Sequence, residues 1–446
     1  MMALGAGCGA PAVRPAQAPA GAAPGMLAGA EGEAFALAMR DGRQRFGDRD
    51  YAGAVAGYER ALAINPGDPL VLYLLAVAAA RGGQADAALD RLGVLADADS
   101  AVVPFADDFS ALAGDARFRA VTMRLAAQAA RYHRATLAFQ LPEPGLLVEG
   151  IAYDPVGKAF YAGAGARRKM IRIRDGVAED IIAPRPDLDS PGGLRVDAVR
   201  HRLWVATGTD ERMDGYAAGE PERNALVEVD LDTGAITGAH PLTAPGHHVL
   251  NDVAVDATGR PYATDTAGGQ LYTLGPDGGA LVAVFDAPPY FRPNGIAADD
   301  AGGALLVADF TGVHRLDLAT RATHRLAQPR GGSIGRLDGM YLVRGPGGPR
   351  IVGIQTVGTG RVVSAALSPG LDAVTRIDVL ESDHPAFDGP TTGAVVGDEL
   401  YLVANSQLWA PHPPAPTLIL ELPILPILPI LPIDAAGAPG PAAAPR

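Results

Sequence analysis

Six times along the chain a polar or small pair opens a short apolar run that closes at a turn. The pairs are Glu149-Gly150, Gly192-Gly193, Asn251-Asp252, Asn294-Gly295, Asp338-Gly339 and Thr392-Gly393, at steps of 43 to 59 residues. Three of the runs are near copies: Ile151-Ala152-Tyr153-Asp154, Val253-Ala254-Val255-Asp256 and Ile296-Ala297-Ala298-Asp299. Turns such as Asp154 to Gly157 and Asp256 to Gly259 lead into second strands at Phe160-Tyr161 and Pro261-Tyr262. Third strands follow at Ile171–Ile173, Leu226–Val229, Leu271–Leu274, Val313–Leu316 and Val362–Ala365. Strand groups repeating at this period predict the blades of a propeller, so the fold class is mainly β, a six-bladed β-propeller. The sixth repeat reaches only a third strand, Leu418–Leu422, before a proline-rich tail. The spare strand Thr136–Leu141 supplies its fourth and closes the ring, which removes an open edge. The propeller is predicted over 132–424.

Upstream the period becomes helical. Phe46 to Ala54 leads through Tyr58 and Ala61-Leu62 to Asn65-Pro66, and a second copy, Gly82 to Leu89, follows 34 residues later. Ala54 and Ala88 occupy matching places where small side chains let two helices approach closely. The pattern resembles tetratricopeptide repeats, and it predicts a small α-helical tetratricopeptide-like domain over 31–131 with extra helices between Phe105 and Arg131. Such repeats imply docking of a protein partner; a helical cap with no ligand fits the pattern equally. Residues 1–30 are Ala, Gly and Pro-rich and read as leader or linker. Residues 425–446, with Ile-Leu-Pro triplets through Pro432, read as a disordered tail, because proline every third residue removes donors and favours extended chain.

Composition changes this picture at a few points. Gly 56 and Pro 38 in 446 residues suit a turn-rich β-repeat fold. The net charge of −13, with no basic cluster longer than Arg167-Arg168-Lys169, lacks the footprint that nucleic-acid binding needs. No uninterrupted apolar run is long enough to span a membrane. The lone cysteine, Cys8, follows Leu4-Gly5-Ala6-Gly7, a partial lipoprotein-type signal, so export to the periplasm or a lipid anchor is the expected address and the cytoplasm the alternative.

If every repeat is a blade, the opening pairs form a ring around one mouth of the central channel. Glu149, Asn251, Asn294 and Asp338 then converge there as oxygen donors. The ends of the second strands, among them Asp265, Asp309 and Asn405, stand behind them. Two carboxylates with amide oxygens suit a hard divalent cation such as Ca²⁺, and the cysteine count excludes a thiolate zinc site. Asp265 and Asp309 fit equally well as strand-end carboxylates that take neighbouring backbone donors. Tyr290-Phe291-Arg292 reads as a pocket wall or as a connecting loop packed on its neighbour.

The opening Glu-Gly and the later N-D, N-G and D-G pairs, in this order, resemble the regucalcin and gluconolactonase type of propeller over roughly residues 140–410. The resemblance implies that Glu149, Asn294 and Asp338 hold the metal and that Asn251 contacts its water or the substrate. It implies hydrolysis of a lactone or similar ester, with the metal as Lewis acid and Asp338 as general base. Sugar lactonases carry Arg two residues before the Asn, where this chain has Val249, and Pro after the first Glu-Gly, where it has Ile151. His247-His248 is similar to the histidines that related lactonase propellers, the paraoxonases, place near their metal, which puts His248 with Asn251 and Asp265 on the substrate side. The N-D-V-A-V-D run also resembles non-enzymatic propellers of the NHL-repeat type. The alternative is therefore an exported binding or scaffold module with no catalysis.

Overall fold

The computed structural model describes residues 26–299, 301, 303–408 and 413–425. The Cys8 context and most of the proline-rich tail lie outside them. Blade 1 comprises Ile151–Asp154, Ala159–Ala164, Lys169–Arg174 and Val177–Ile182 as one antiparallel sheet in chain order. Blades 2 to 5 repeat that order, opening at Ser190–Asp197, Leu250–Val255, Ile296–Ala298 and Leu337–Gly345. Blade 6 holds Gly393–Val396, Glu399–Val403 and Pro416–Pro423, and its outer strand is Thr136–Pro144, which pairs with Pro416–Pro423. The ring is thus closed by the first propeller strand, as the repeat count requires.

The opening-pair glycines of blades 2 and 4 have a tertiary cause. A Cβ on Gly193 would stand 2.3 Å from the Asn251 carbonyl oxygen, and one on Gly295 would stand 2.3 Å from that of Asp338. The innermost strands crowd the axis, and at these two points only glycine lets one blade approach the next. Hydrogen bonds tie the same points together: Gly295 N donates to Leu337 O at 3.4 Å and Gly339 N to Thr391 O at 3.1 Å. Thr391 Oγ1 and Thr392 Oγ1 donate to Glu149 O at 2.6 and 3.0 Å, joining blade 6 to blade 1.

The helical unit comprises α1 (Gly29–Gly47), α2 (Tyr51–Ile64), α3 (Pro69–Arg81), α4 (Ala85–Asp97) and α5 (Ala116–Ala129), with a 3-10 turn at Ala106–Leu112. Asp68 caps α3 by accepting from Leu70 N and Val71 N at 2.9 and 3.2 Å, with Pro69 in the first turn. Every residue of α3 from Pro69 to Ala80 is buried, as expected of a helix that is apolar all round. What buries it is partly the propeller: Phe310 and Val357 belong to the same apolar cluster as the helices.

Polar contacts extend that seam. Asn65 Nδ2 donates to Gly332 O at 3.2 Å, and Asn65 Oδ1 accepts from Gly331 N at 2.7 Å. Arg361 donates to Ser100 O at 3.0 Å, and Thr359 N to Val103 O at 2.9 Å. A Cβ on Gly358, at φ 56°, would stand 1.9 Å from Val103 O, so that close approach also requires glycine. A short strand, Met26–Leu27, pairs with Gln328–Pro329. The helical unit is therefore seated on the propeller, over the loops of blades 4 and 5 that flank the opening pairs. Among the described residues no helix is long and apolar enough to cross a membrane.

Candidate functional site

Glu149, Asn251, Asn294 and Asp338 line one cavity of about 460 Å³ at the mouth of the channel, beneath α1. Each stands at or beside the start of an innermost strand, where the chain turns in from the preceding blade and its side chain meets the axis. Asp338 is buried at 3 % exposure and Asn251 at 9 %, while Glu149 and Asn294 are half-buried. Asn251 Oδ1, Asn294 Oδ1 and Asp338 Oδ1 are all buried without a hydrogen-bond partner. Leaving one such oxygen unsatisfied costs about 1–3 kcal/mol. Three of them at one mouth is an arrangement that a cation relieves and a dry core does not.

The carboxyl groups carry the same signature. Burial, reinforced by the charges of Asp338 and Asp252, pushes Glu149 up to about 8. Burial and the Asp252 charge push Asp338 up to about 7, against a hydrogen bond from Asn294 and the nearby Arg336. Arg212 and Arg336 oppose these shifts without cancelling them, so the two acids have too little positive charge beside them to stay ionised. A bound dication would supply it and return both to carboxylates. Among the described residues no three His, Cys, Asp or Glu side chains form a metal-holding group. The donor set at the ring is instead two carboxyls with two amides, all oxygen, which suits a hard cation.

Asp265 and His248, assigned above to the substrate, are arranged differently from Asn251. The fully buried Asp265 carboxylate accepts from Val249 N at 2.9 Å, Gly268 N at 3.0 Å and His248 Nδ1 at 2.7 Å, and it does not line the cavity. It holds the loop that delivers Asn251, with its oxygens taken by local donors. His248 is occupied by Asp265 and by Pro245 O at 3.3 Å, and faces an adjoining cavity of about 350 Å³ that shares Glu149 and Val249 with the first. Asp309 and Asn405 are likewise structural. Asp309 accepts from Phe291 N, Thr311 N and Gly312 N, and Asn405 brackets Leu418 N and Pro416 O.

Around the ring stand residues whose surroundings the repeat pattern does not reveal. Asp252 accepts from Val253 N at 2.8 Å and Ile296 N at 3.2 Å; burial raises it to about 6 although Arg195 opposes the shift. Arg195 donates to Val253 O at 3.1 Å and lies 5.7 Å from the Tyr341 ring centroid. Arg195 and Tyr341 line a separate cavity of about 510 Å³ on the far side of the ring. The near wall holds Arg212, paired to Asp210 at 2.6 Å, together with Arg292, Arg336 and Arg43. Arg43 comes from α1, a helix that periodicity assigns to a separate domain. Burial and the neighbouring Arg43 charge both hold Arg292 below the usual guanidinium range. Tyr290 turns into the core and Phe291 packs on Phe310, so only Arg292 of that triplet walls the cavity.

The tetratricopeptide repeat family model matches residues 45–102, the stretch that holds both helical copies. No curated protein matches the chain in sequence. Among solved structures, the chain is similar to a gluconolactonase from Xanthomonas campestris at 18 % identity and a TM-score of 0.44, covering 67 % of this chain and 92 % of that one. Regucalcin, a calcium-binding protein from Agrobacterium tumefaciens, is also 18 % identical at a TM-score of 0.44, over 64 % of this chain and 93 % of its own. Virginiamycin B lyase from Staphylococcus aureus is 13 % identical at 0.43, over 64 % and 83 %. At such low identity and TM-score these likenesses decide nothing about the site, whose chemistry rests on its own residues.

Proposed function

We propose that the ring is a divalent-cation site, Ca²⁺ in the first instance, at which a lactone or similar ester is hydrolysed. The observation that supports this reading is the convergence of three unpartnered buried oxygens with two proton-retaining acids at one mouth of the channel. Glu149, Asn294 and Asp338 would hold the cation, which when bound supplies Lewis acidity toward a carbonyl oxygen. Asn251, with its amide at the cavity wall, orients the substrate oxygen. Asp338 takes the proton of the attacking water as the new C–O bond forms, then returns it to the departing alkoxide as the ester C–O bond breaks. The product is a hydroxy acid, or an acid and an alcohol.

Calorimetric titration of the full chain with Ca²⁺ tests the first half: binding is expected in the wild type and lost in Glu149→Gln. No heat in the wild type with Ca²⁺, Mg²⁺ or Mn²⁺ would overturn the cation site. Turnover of a panel of lactones and esters tests the second half, with Asn251→Ala and Asp338→Asn each expected to lower it by about a hundredfold or more. A protein that binds Ca²⁺ and hydrolyses none of them is a binding module.

A further inference from the structure

The cavity has two chemically distinct ends. Its floor is the acidic and amide ring. Its rim carries Arg43 from α1, Arg292 from the loop before blade 4 and Arg336 from the loop before blade 5. Among the described residues none of the three makes an ion pair with a carboxylate or a side-chain hydrogen bond. Arg212, the fourth arginine of the wall, shows the contrast: Asp210 takes its Nε and Nη2 at 2.9 and 2.6 Å, and Leu408 O takes its Nη1 at 2.9 Å. Arg336 instead lies 5.5 Å from the Phe310 ring centroid, which fixes the guanidinium without satisfying its donors.

Three cations facing one another across a partly buried cavity repel unless an anion lies between them. The molecule as a whole carries −13, yet the one carboxylate at this rim, Asp210, is taken by Arg212 and leaves the other three arginines without an ion pair. Asp309, which also lines the cavity, is taken up by three backbone amides and by His314 at 3.1 Å.

Resting on the reading of the ring as the ligand site, we infer that the ligand carries an oxyanion, carboxylate or phosphate, which Arg43, Arg292 and Arg336 hold while its uncharged end reaches the ring. The arginine fork matches either oxyanion in a bidentate way. Because Arg43 belongs to α1, the helical unit is a wall of the binding site. A tetratricopeptide-like segment in this position selects a small molecule together with the propeller.

The test uses the full chain freed of divalent ions on a chelating resin, titrated separately with inorganic phosphate and with succinate at constant ionic strength. Saturable binding of either is expected, and which of the two binds more tightly distinguishes the phosphate from the carboxylate source. Arg43→Gln and Arg292→Gln should each weaken it by about tenfold or more, since a hydrogen bond to a charged group contributes about 1.5–3 kcal/mol. Arg376→Gln, on an exposed outer strand, should match the wild type. Circular dichroism and the unfolding midpoint verify that the variants are folded. No binding of either anion by the wild type, or unchanged binding in folded Arg43→Gln and Arg292→Gln, overturns the inference. Calcium binding that survives such a result leaves the reading of the ring standing.

Discussion

Gly193 and Gly295 stand where innermost strands of neighbouring blades come closest, and no larger residue fits there without moving a backbone carbonyl. Gly295→Ala would place its Cβ 2.3 Å from Asp338 O. The substitution should lower stability by about 1–3 kcal/mol or more, read as a fall in the urea midpoint at unchanged slope. It should also weaken Ca²⁺, because the displaced carbonyl belongs to a proposed ligand. The polar member of each pair answers to a different demand. Asn294 and Asp338 hold oxygens with no protein partner, whereas Asp265, which looks equivalent in sequence, spends its oxygens on Val249 N, Gly268 N and His248. Residue type alone does not separate the two kinds of acid; the direction of the side chain does.

At the scale of the element, strand-end carboxylates pin the hairpins. Asp309 closes the second strand of blade 4 and caps its turn through Thr311 N at 2.7 Å and Gly312 N at 3.1 Å. Burial opposes its charge, but His314 and the hydrogen bonds from Phe291 and Thr311 prevail and hold it at about 2. A carboxyl depressed in the folded state contributes stability above its unfolded value near 3.8, and that contribution is lost as pH falls toward 2. The stability difference between wild type and Asp309→Asn should therefore be level above pH 4 and shrink by about 2 kcal/mol on descending to pH 2. A difference that stays constant through that window would show that the charge contributes nothing. The closing strand, Thr136–Pro144 beside Pro416–Pro423, works at the same scale by joining the two ends of the propeller.

Taken as a whole, the molecule is a propeller with a helical unit embedded in one of its faces. Phe310 and Val357 lie in the helical core, and Arg361, Gly358 and Asn65 fasten the seam. Heating should give a single cooperative transition by calorimetry, with helical and sheet signals lost together. A chain beginning at residue 132 would expose Phe310 and Val357 and should be less soluble and less stable than the full protein. Two separate transitions in the full chain would show that the seam contributes little.

Blade number, strand order, the closing strand, the helical repeat and the four oxygen residues at the mouth could all be read from the sequence. Each follows from a local period, and a period of strands or helical turns constrains which face a residue presents. The placement of the helical unit, the presence of Arg43 in the cavity, the Arg195 and Tyr341 side of the channel and the separation of Asp265 from the ring are tertiary. They depend on which surfaces meet across hundreds of residues, and a local period cannot encode that meeting. Helix α3 shows the division most clearly: its unbroken apolar composition required burial on every side, and only the folded chain could show that Phe310 and Val357 of the propeller help to supply it.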